Sequence, residues 1–203
     1  MISNKIKDGI KGSINIPSDK SISHRSIIIP SVSMGISEVN NILMSDDVLH
    51  TLNAFKALGV KIEKLNDKII IYGKGLNSLK KPNKSIYLGN SGTSARLLTG
   101  LLASQSFETI LEGDHSLSSR PMARIMDPLK LMGAEFENVS GTLPLKIIGR
   151  KLNNSTIEIK IPSAQIKSGL ILASLNVDGV SHIIEKNITR DHTEICLNLL
   201  GQT

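Results

Sequence analysis

The chain has 203 residues, of which 40% are apolar and 21% charged, a composition typical of a globular protein with a sizeable core. This balance excludes a disordered chain, a collagen and a coiled coil. Lysine and arginine together number 24 against 18 acidic residues, but only 2% of residues are aromatic, which disfavours a surface that stacks unpaired nucleic-acid bases.

The cysteine content and the apolar runs bear on the cellular compartment. The single cysteine, Cys196, excludes an internal disulfide framework and a zinc site built from cysteines. Residues 1–11 contain no apolar core of signal-peptide length, and the apolar runs at 27–29 and 170–173 are too short to span a bilayer. We therefore predict a cytoplasmic protein without a membrane partner.

The first predicted helix begins a pattern that recurs through the chain. A turn of small polar residues, then a cation, then an apolar run occurs three times, and the cations are Arg25, Arg96 and Lys167, spaced 71 positions apart. Such a period indicates a fold built from copies of one unit. The runs after Arg96 and Lys167 are apolar nearly all round, which predicts buried helices.

Each unit continues with an extended segment, a polar turn and an amphipathic helix. The first of these helices is predicted to be capped by Ser45 or Asp46. The second is predicted to open at Pro121 and to be kinked at Pro128. The three helices are predicted to end at the pairs Leu58-Gly59, Met132-Gly133 and Leu200-Gly201, where glycine can take the left-handed position that follows a helix.

Strands are predicted after the first two of these glycines. Alternating or β-branched residues indicate two hairpins, formed by 60–63 with 68–72 and by 134–137 with 143–148. The unit is therefore strand, helix, strand, helix, two strands, which predicts an α/β (α+β) fold. We expect residues 16–203 to form one domain of three pseudo-repeats, at about 16–82, 83–153 and 154–203, with the third stopping before its hairpin.

The turns before the helices are candidate anion sites, because a helix N-terminus offers free backbone N–H groups and a partial positive charge. Lys20, Ser21 and Arg25 could converge on one phosphate or carboxylate. The alternative is a capped helix with solvent-exposed cations. Gly92 lies in a loop that is neither a Walker A nor a dinucleotide motif, and it would let a ligand reach main-chain N–H groups unless the loop is a plain turn.

Two further loops carry cations. Arg120 precedes Pro121 and points toward the same end of the unit, although it could be an ordinary surface arginine. The run 190–194 contains Asp, His and Glu, but its spacing matches no common zinc motif, so Arg190 is the better candidate, as an anion ligand. Cys196 is flanked by apolar residues, which favours packing over nucleophilic chemistry. No Ser-His-Asp or HExxH pattern is present, so binding groups are visible and proton-transfer groups are not.

Four motifs stand at these turns: Ser18-Asp19-Lys20-Ser21-Ile22-Ser23-His24-Arg25, Leu88-Gly89-Asn90-Ser91-Gly92-Thr93, Ser119-Arg120-Pro121-Met122 and Ser163-Ala164-Gln165-Ile166-Lys167-Ser168. Together they resemble the enolpyruvyl transferase family. The resemblance covers essentially the whole chain but only about half of a family member, which has six such units in two domains. It implies an alpha-beta prism of βαβαββ repeats with helices inside and sheets outside. It also implies that residues 1–15 pair with the second domain.

The activity that the resemblance implies is transfer of the carboxyvinyl group of phosphoenolpyruvate to the 5-hydroxyl of shikimate 3-phosphate, without metal or organic cofactor. Lys20 and Arg120 would stabilise charge during the reaction. The residues implied to bind phosphoenolpyruvate are Lys20, Gly92, Arg120 and Gln165. Those implied to bind shikimate 3-phosphate are Lys20, Ser21, Arg25, Ser163, Ala164, Gln165 and Arg190.

The family's acid and base groups, an Asp, a Lys and a Glu, belong to the second domain. We therefore expect the 203-residue chain to bind its substrates weakly and not to turn over, and the full-length protein to be a monomer. Glyphosate is an implied inhibitor. Ala164 stands where some members have Ser, and Leu97 stands where those members have Pro, which indicates the branch whose glyphosate sensitivity varies.

Three other functions are weighed against this one. The sister enzyme that acts on UDP-N-acetylglucosamine has Lys-Asn where this chain has Lys20-Ser21, and it carries a cysteine in the loop before its Arg-Pro pair, where residues 114–119 contain none. A non-catalytic half-enzyme or binding module is compatible with the missing acid and base groups. Nucleic-acid binding is disfavoured, because the cations stand singly at helix starts.

Overall fold

The computed structural model describes residues 12–14, 16–138 and 140–201. Only residues 12–14 of the segment 1–15 are among them. The predicted pairing of this segment with a second domain therefore lies almost wholly outside the described residues. Helices and strands are interspersed along the chain. The helices are α1 (Lys20–Val32), α2 (Asp46–Ala57), α3 (Gly92–Ala103), α4 (His115–Ser118), α5 (Ala123–Leu131), α6 (Ala164–Ser174) and α7 (His192–Leu199). The strands are β1 (Met34–Asn40), β2 (Lys61–Leu65), β3 (Lys68–Lys74), β4 (Ile86–Tyr87), β5 (Glu108–Glu112), β6 (Glu135–Glu137), β7 (Leu145–Ile148), β8 (Thr156–Ile159) and β9 (His182–Glu185).

The strands of the described ranges form three separate sheets. The first has the order β1-β3-β2 and the second β4-β5-β7-β6, while β8 and β9 form the third. β4 runs parallel to β5 and β8 parallel to β9, whereas the remaining pairs are antiparallel. In the second and third sheets, the parallel pair is connected through a helix, as a parallel pair requires.

Helices occupy the interior and the sheets lie around them. α3 packs most extensively on α6, and α1 packs on α2 and α7. The sheets turn alternate residues inward, as Ile69 and Ile71 of β3 and Leu145 of β7 illustrate, each at most 1% exposed. The predicted α/β class, with helices inside and sheets outside, is confirmed. No helix in the described ranges is both long and apolar enough to cross a membrane.

The predicted ends of the second helices are confirmed. Leu58, Met132 and Leu200 are the C-cap residues of α2, α5 and α7, and the glycines that follow have φ of 88°, 89° and 82°. A residue with a Cβ would be strained in this left-handed region, so glycine ends each helix at a set place.

The predicted start of the second of these helices is wrong. α5 begins at Ala123 with Met122 at its N-cap, and the preceding polar run forms the separate short helix α4. The side chain of Asp114 accepts the backbone N–H of Leu117 at 2.7 Å, which favours that extra turn before Pro121. Pro128 lies inside α5, as predicted.

Both predicted hairpins are present. β2 pairs with β3 and β6 pairs with β7, each pair antiparallel. The tight turn between β2 and β3 places Asn66 at φ 54°, a left-handed conformation that asparagine tolerates better than most residues. At the start of α2, Ser45 holds the N-cap position, but its side chain makes no capping hydrogen bond.

A candidate anion-binding cavity

The starts of the central helices surround one polar cavity of about 480 Å³. All four residues that the resemblance links to phosphoenolpyruvate line it. Among the described residues, those that line the cavity are Lys20, Asp47, Asn90, Gly92, Thr93, Arg96, Arg120 and Gln165.

Lys20 is the first residue of α1, next to the N-cap residue Asp19. The Asp19 carboxylate accepts the backbone N–H of Ile22 at 2.7 Å, which fixes the first turn of the helix. Lys20 forms an ion pair with Asp47 from the first turn of α2. Its side chain is still 51% exposed, so the ammonium can also meet a ligand in the cavity.

Gly92 is the first residue of α3, and it lies beneath two guanidinium groups. The Ser91 hydroxyl caps the helix by accepting the backbone N–H of Ser94 at 3.1 Å. Arg96 Nη1 donates to the Gly92 carbonyl oxygen at 3.0 Å. A Cβ built on Gly92 would lie 2.8 Å from Arg96 Nη1 and 3.3 Å from Arg120 Nη1. Glycine therefore leaves the space between these cations open.

Arg120 reaches the cavity from the turn after α4. Its Nη2 donates to the side-chain oxygen of Asn90 and, at 3.3 Å, to the Ser116 hydroxyl. Asn90 in turn donates to Asp114 Oδ2 at 3.0 Å. Neutral partners hold the guanidinium group in place, so its charge stays available for a bound anion.

Gln165 joins the start of α6 to the start of α3. Its Nε2 donates to the Thr93 hydroxyl at 3.1 Å. Ser163 is the N-cap of α6, where its hydroxyl accepts the backbone N–H of Ile166, and Ala164 is the first residue of the helix. Ser163 and Ala164 are half-buried and lie beside the cavity without lining it.

Arg25 is placed differently from the other candidate cations, because it is 3% exposed and does not line the cavity. Its guanidinium donates to Thr193 Oγ1 and to Ser168 Oγ, both at 2.7 Å, and to the carbonyl oxygen of Ser21 at 2.9 Å. Burial is the main reason that the pKa of Arg25 is lowered, and the charge of Arg190 lowers it further. The exposed Arg190 thus lies close to Arg25 at the start of α7.

The electrostatics of the cavity favour an anion. Lys20, Arg96 and Arg120 line it, and Asp47 is the one carboxylate among the lining residues. Burial lowers the pKa of Arg96, and the charges of Arg120 and Arg124 add to that effect. Such crowding of like charges is relieved when an anion binds between them. Phosphate and carboxylate groups match the geometry of guanidinium groups.

Four lining residues were not assigned a role from the sequence: Asp47, Asn90, Thr93 and Arg96. Asn90 and Thr93 flank Gly92 in the loop that was singled out, and Arg96 is one of the three repeated cations, so both signals were present. Asp47 carried no such signal, because its place at the cavity depends on α2 packing against α1. Among the described residues, no group of three or more His, Cys, Asp and Glu side chains could hold a metal ion.

These features define an α/β protein with a cavity lined by three cations between the N-termini of its central helices. Comparison with known proteins then gives the family. The sequence model of the EPSP synthase (3-phosphoshikimate 1-carboxyvinyltransferase) family matches residues 4–203, and the chain belongs to this family.

Individual relatives agree with the family assignment. The 3-phosphoshikimate 1-carboxyvinyltransferase of Oenococcus oeni is 51% identical over 195 residues, which is 95% of this chain and 45% of that protein. The enzyme of the same name from Lactiplantibacillus plantarum is 48% identical over 193 residues, with the same coverage. The solved EPSP synthase of Acinetobacter baumannii superposes with a TM-score of 0.90 at 44% identity, covering 94% of this chain and 44% of that one. The chain therefore spans a little under half the length of these relatives.

Proposed function

We propose that this chain supplies one half of an EPSP synthase site, in which the carboxyvinyl group of phosphoenolpyruvate passes to the 5-hydroxyl of shikimate 3-phosphate. One observation carries the proposal. The four residues that the resemblance links to phosphoenolpyruvate line a single cavity, together with Arg96 as a third cation. Phosphoenolpyruvate carries a phosphate and a carboxylate, which the three cations Lys20, Arg96 and Arg120 can bind.

The proposed reaction proceeds by addition and elimination. A proton adds to the methylene carbon of phosphoenolpyruvate, and the 5-hydroxyl oxygen bonds to the neighbouring carbon as it loses its own proton. The bond from that carbon to the phosphate oxygen then breaks, and loss of a proton restores the double bond. Lys20 and Arg120 stabilise the charge on the leaving phosphate and on the carboxylate.

Shikimate 3-phosphate is assigned to the neighbouring helix starts. Lys20, Ser21, Arg25, Ser163, Ala164, Gln165 and Arg190 remain the proposed contacts. The hydrogen bonds from Arg25 to Ser168 of α6 and Thr193 of α7 support this grouping, because they draw three helix starts together. In this proposal Arg25 contacts the ligand from the buried side of the site, and the exposed Arg190 contacts it from the solvent side.

Turnover is proposed to need groups outside the described residues. Asp47 is the carboxylate that lines the cavity, and it is already engaged in an ion pair with Lys20. We further propose that residues 16–203 form one domain with pseudo-repeats at about 16–82, 83–153 and 154–203. The order of helices and strands supports these boundaries. We also propose that the full-length enzyme is a monomer located in the cytoplasm, and that glyphosate is a candidate inhibitor whose effect is to be measured.

Titration calorimetry on the 203-residue chain tests the binding. We expect phosphoenolpyruvate and shikimate 3-phosphate to bind weakly, and Arg120→Ala to weaken phosphoenolpyruvate binding about tenfold, the size of one charge-assisted contact. Arg150→Ala is the matched control, because Arg150 is paired with Glu135 on the second sheet, away from the cavity. Absence of binding by either ligand would refute the proposed function, and preferential binding of UDP-N-acetylglucosamine would favour the sister enzyme. Steady release of phosphate by the pure chain would refute only the predicted inactivity.

A further inference from the structure

His24 lies one helical turn after Lys20 in α1 and is fully buried. Its Nδ1 is 2.8 Å from the hydroxyl of Thr51 and 3.3 Å from that of Ser94. Thr51 belongs to α2 and Ser94 to α3. One imidazole therefore connects three helices.

The connection continues to the cap of α3 through a chain of hydroxyl groups. Thr51 Oγ1 lies 2.6 Å from Ser94 Oγ, which lies 2.6 Å from Ser91 Oγ. Ser91 is the residue that caps the helix. Each of the three helices places a cavity-lining residue in its first turn, and these residues are Lys20, Asp47 and Gly92. The network therefore lies beneath the helix starts that form the cavity.

The surroundings of His24 favour a neutral ring. An imidazolium must donate from both nitrogens, but the buried Nε2 has no hydrogen-bond partner among the described residues. Burial lowers the pKa of His24 from 6.5 to about 4. The charged groups that face it are Asp47 from α2 and Asp19, Lys20 and Arg25 from α1, whose effects on the pKa oppose one another. A neutral Nδ1 can accept from the Thr51 hydroxyl or donate to it.

We propose that His24 is a positioning residue, which holds the first turns of α1, α2 and α3 in register through the Thr51, Ser94 and Ser91 hydroxyls. It does not touch the ligand. It sets the spacing between the Lys20–Asp47 pair and the first residues of α3, Gly92 and Thr93, which line the cavity proposed to hold an anion. The identity of that anion as phosphoenolpyruvate rests on the proposed function, whereas the positioning itself does not.

Three variants separate positioning from mere stability. His24→Leu removes every hydrogen bond from the ring site, whereas His24→Asn keeps a polar atom near the place of Nδ1. Ile27→Val is the control, because it trims a fully buried residue of the same helix without a hydrogen bond. Each 203-residue chain is titrated with phosphoenolpyruvate and with inorganic phosphate, and its free energy of unfolding is measured with urea.

The expected result is a rise of about tenfold in the dissociation constant for His24→Leu, with less than about threefold for His24→Asn and Ile27→Val. The amide NMR shifts of Gly92 and Thr93 should move in His24→Leu and return toward the wild-type values in His24→Asn. If His24→Leu does not fold, Thr51→Val removes the next hydroxyl in the chain and should produce the same loss.

Two outcomes would overturn the proposal. One is an unchanged dissociation constant in His24→Leu despite a lower unfolding free energy. The other is unchanged Gly92 and Thr93 shifts in the same variant, a readout that needs no ligand. If the wild-type chain bound neither phosphoenolpyruvate nor phosphate, the proposed function would fail, and these shifts would still decide the role of His24.

Discussion

The backbone of Gly100 in α3 touches that of Gly169 in α6. A Cβ built on Gly100 would lie 1.9 Å from the carbonyl oxygen of Gly169, and one built on Gly169 would lie 2.7 Å from the carbonyl oxygen of Arg96. The two helices that bring Gly92 and Gln165 to the cavity are therefore packed as closely as their backbones allow. This contact sets the distance between two walls of the proposed site.

Gly100→Ala should destabilise the protein for this reason. The added methyl group cannot be accommodated without separating α3 from α6, and such overpacking costs about 2 kcal/mol or more, which exceeds the gain in helix propensity of about 1 kcal/mol. Urea unfolding measures the change. Asn53→Ala on the exposed face of α2 is the control and should leave the midpoint nearly unchanged. An unaltered midpoint in Gly100→Ala would show that the helices are farther apart than described.

Gly92→Ala should weaken ligand binding with little effect on folding. Its methyl group would occupy the space beside Arg96 Nη1 and Arg120 Nη1, the flexible ends of two side chains that can move aside. We expect the dissociation constant for phosphoenolpyruvate to rise about tenfold, the loss of one charge-assisted hydrogen bond. Calorimetry measures it, with glyphosate as a second ligand. Gly12→Ala is the matched control, since a Cβ there meets nothing within 4 Å. Equal affinities of Gly92→Ala and Gly12→Ala for phosphoenolpyruvate would contradict the placement of this ligand beside Gly92.

Stability should fall in mild acid because of His24. The pKa of His24 is about 4 in the folded protein and 6.5 in the unfolded chain, so the unfolded chain binds more protons between these values. The contribution of this group is fully present above about pH 6.5 and is lost as the pH falls toward 4, on the order of 3 kcal/mol in total.

The measurement compares the unfolding free energies of the wild type and His24→Asn from pH 7 to pH 4. Both proteins contain the same carboxylates that titrate in this range. The difference between their unfolding free energies therefore reports the titration of the His24 imidazole alone. As the pH falls, the unfolding free energy of the wild type should decrease relative to that of His24→Asn. A gap that is independent of pH would mean that His24 is protonated in the folded state or exposed.

Lys167 should be a strong stabiliser. Its Nζ lies 2.7 Å from Glu185 and 2.8 Å from Glu194, and its side chain is 7% exposed. Burial alone would lower the pKa of Lys167, but the hydrogen bonds to both carboxylates outweigh it and raise the pKa. Lys167→Ala leaves Glu194 without its cation and Glu185 with only the hydrogen bonds from Thr189, so we expect a loss of about 2 kcal/mol in urea unfolding.

The exposed pair of Lys151 and Asp178 is the control for Lys167. Its side chains are 72% and 85% exposed, so Lys151→Ala should cost no more than about 1 kcal/mol. Equal losses for the two variants would contradict the difference in burial. Lys167→Ala should also loosen the loop that carries Arg190, because Lys167 donates to the carbonyl oxygen of Thr189 at 3.4 Å.

Local signals in the chain predicted much of the framework. The three glycines that follow α2, α5 and α7 end those helices, since the left-handed position is a property of glycine itself. The β2–β3 hairpin follows from alternation around a tight turn. The predicted start of α5 at Pro121 was wrong because Asp114 caps a separate turn of helix, α4, before it. The position of Pro121 in the sequence does not show which polar side chain caps a helix.

For the repeated cations Arg25, Arg96 and Lys167, local sequence signals did not predict the tertiary surroundings. Their equal spacing was visible in the chain, but it could not distinguish their surroundings. Arg96 lines the cavity, whereas Arg25 and Lys167 are buried. Arg25 is bound by Thr193, 168 positions away, and Lys167 by two glutamates of the β9–α7 region. Equivalent residues acquire different surroundings because their partners come from elements distant in sequence, and only folding brings those elements together.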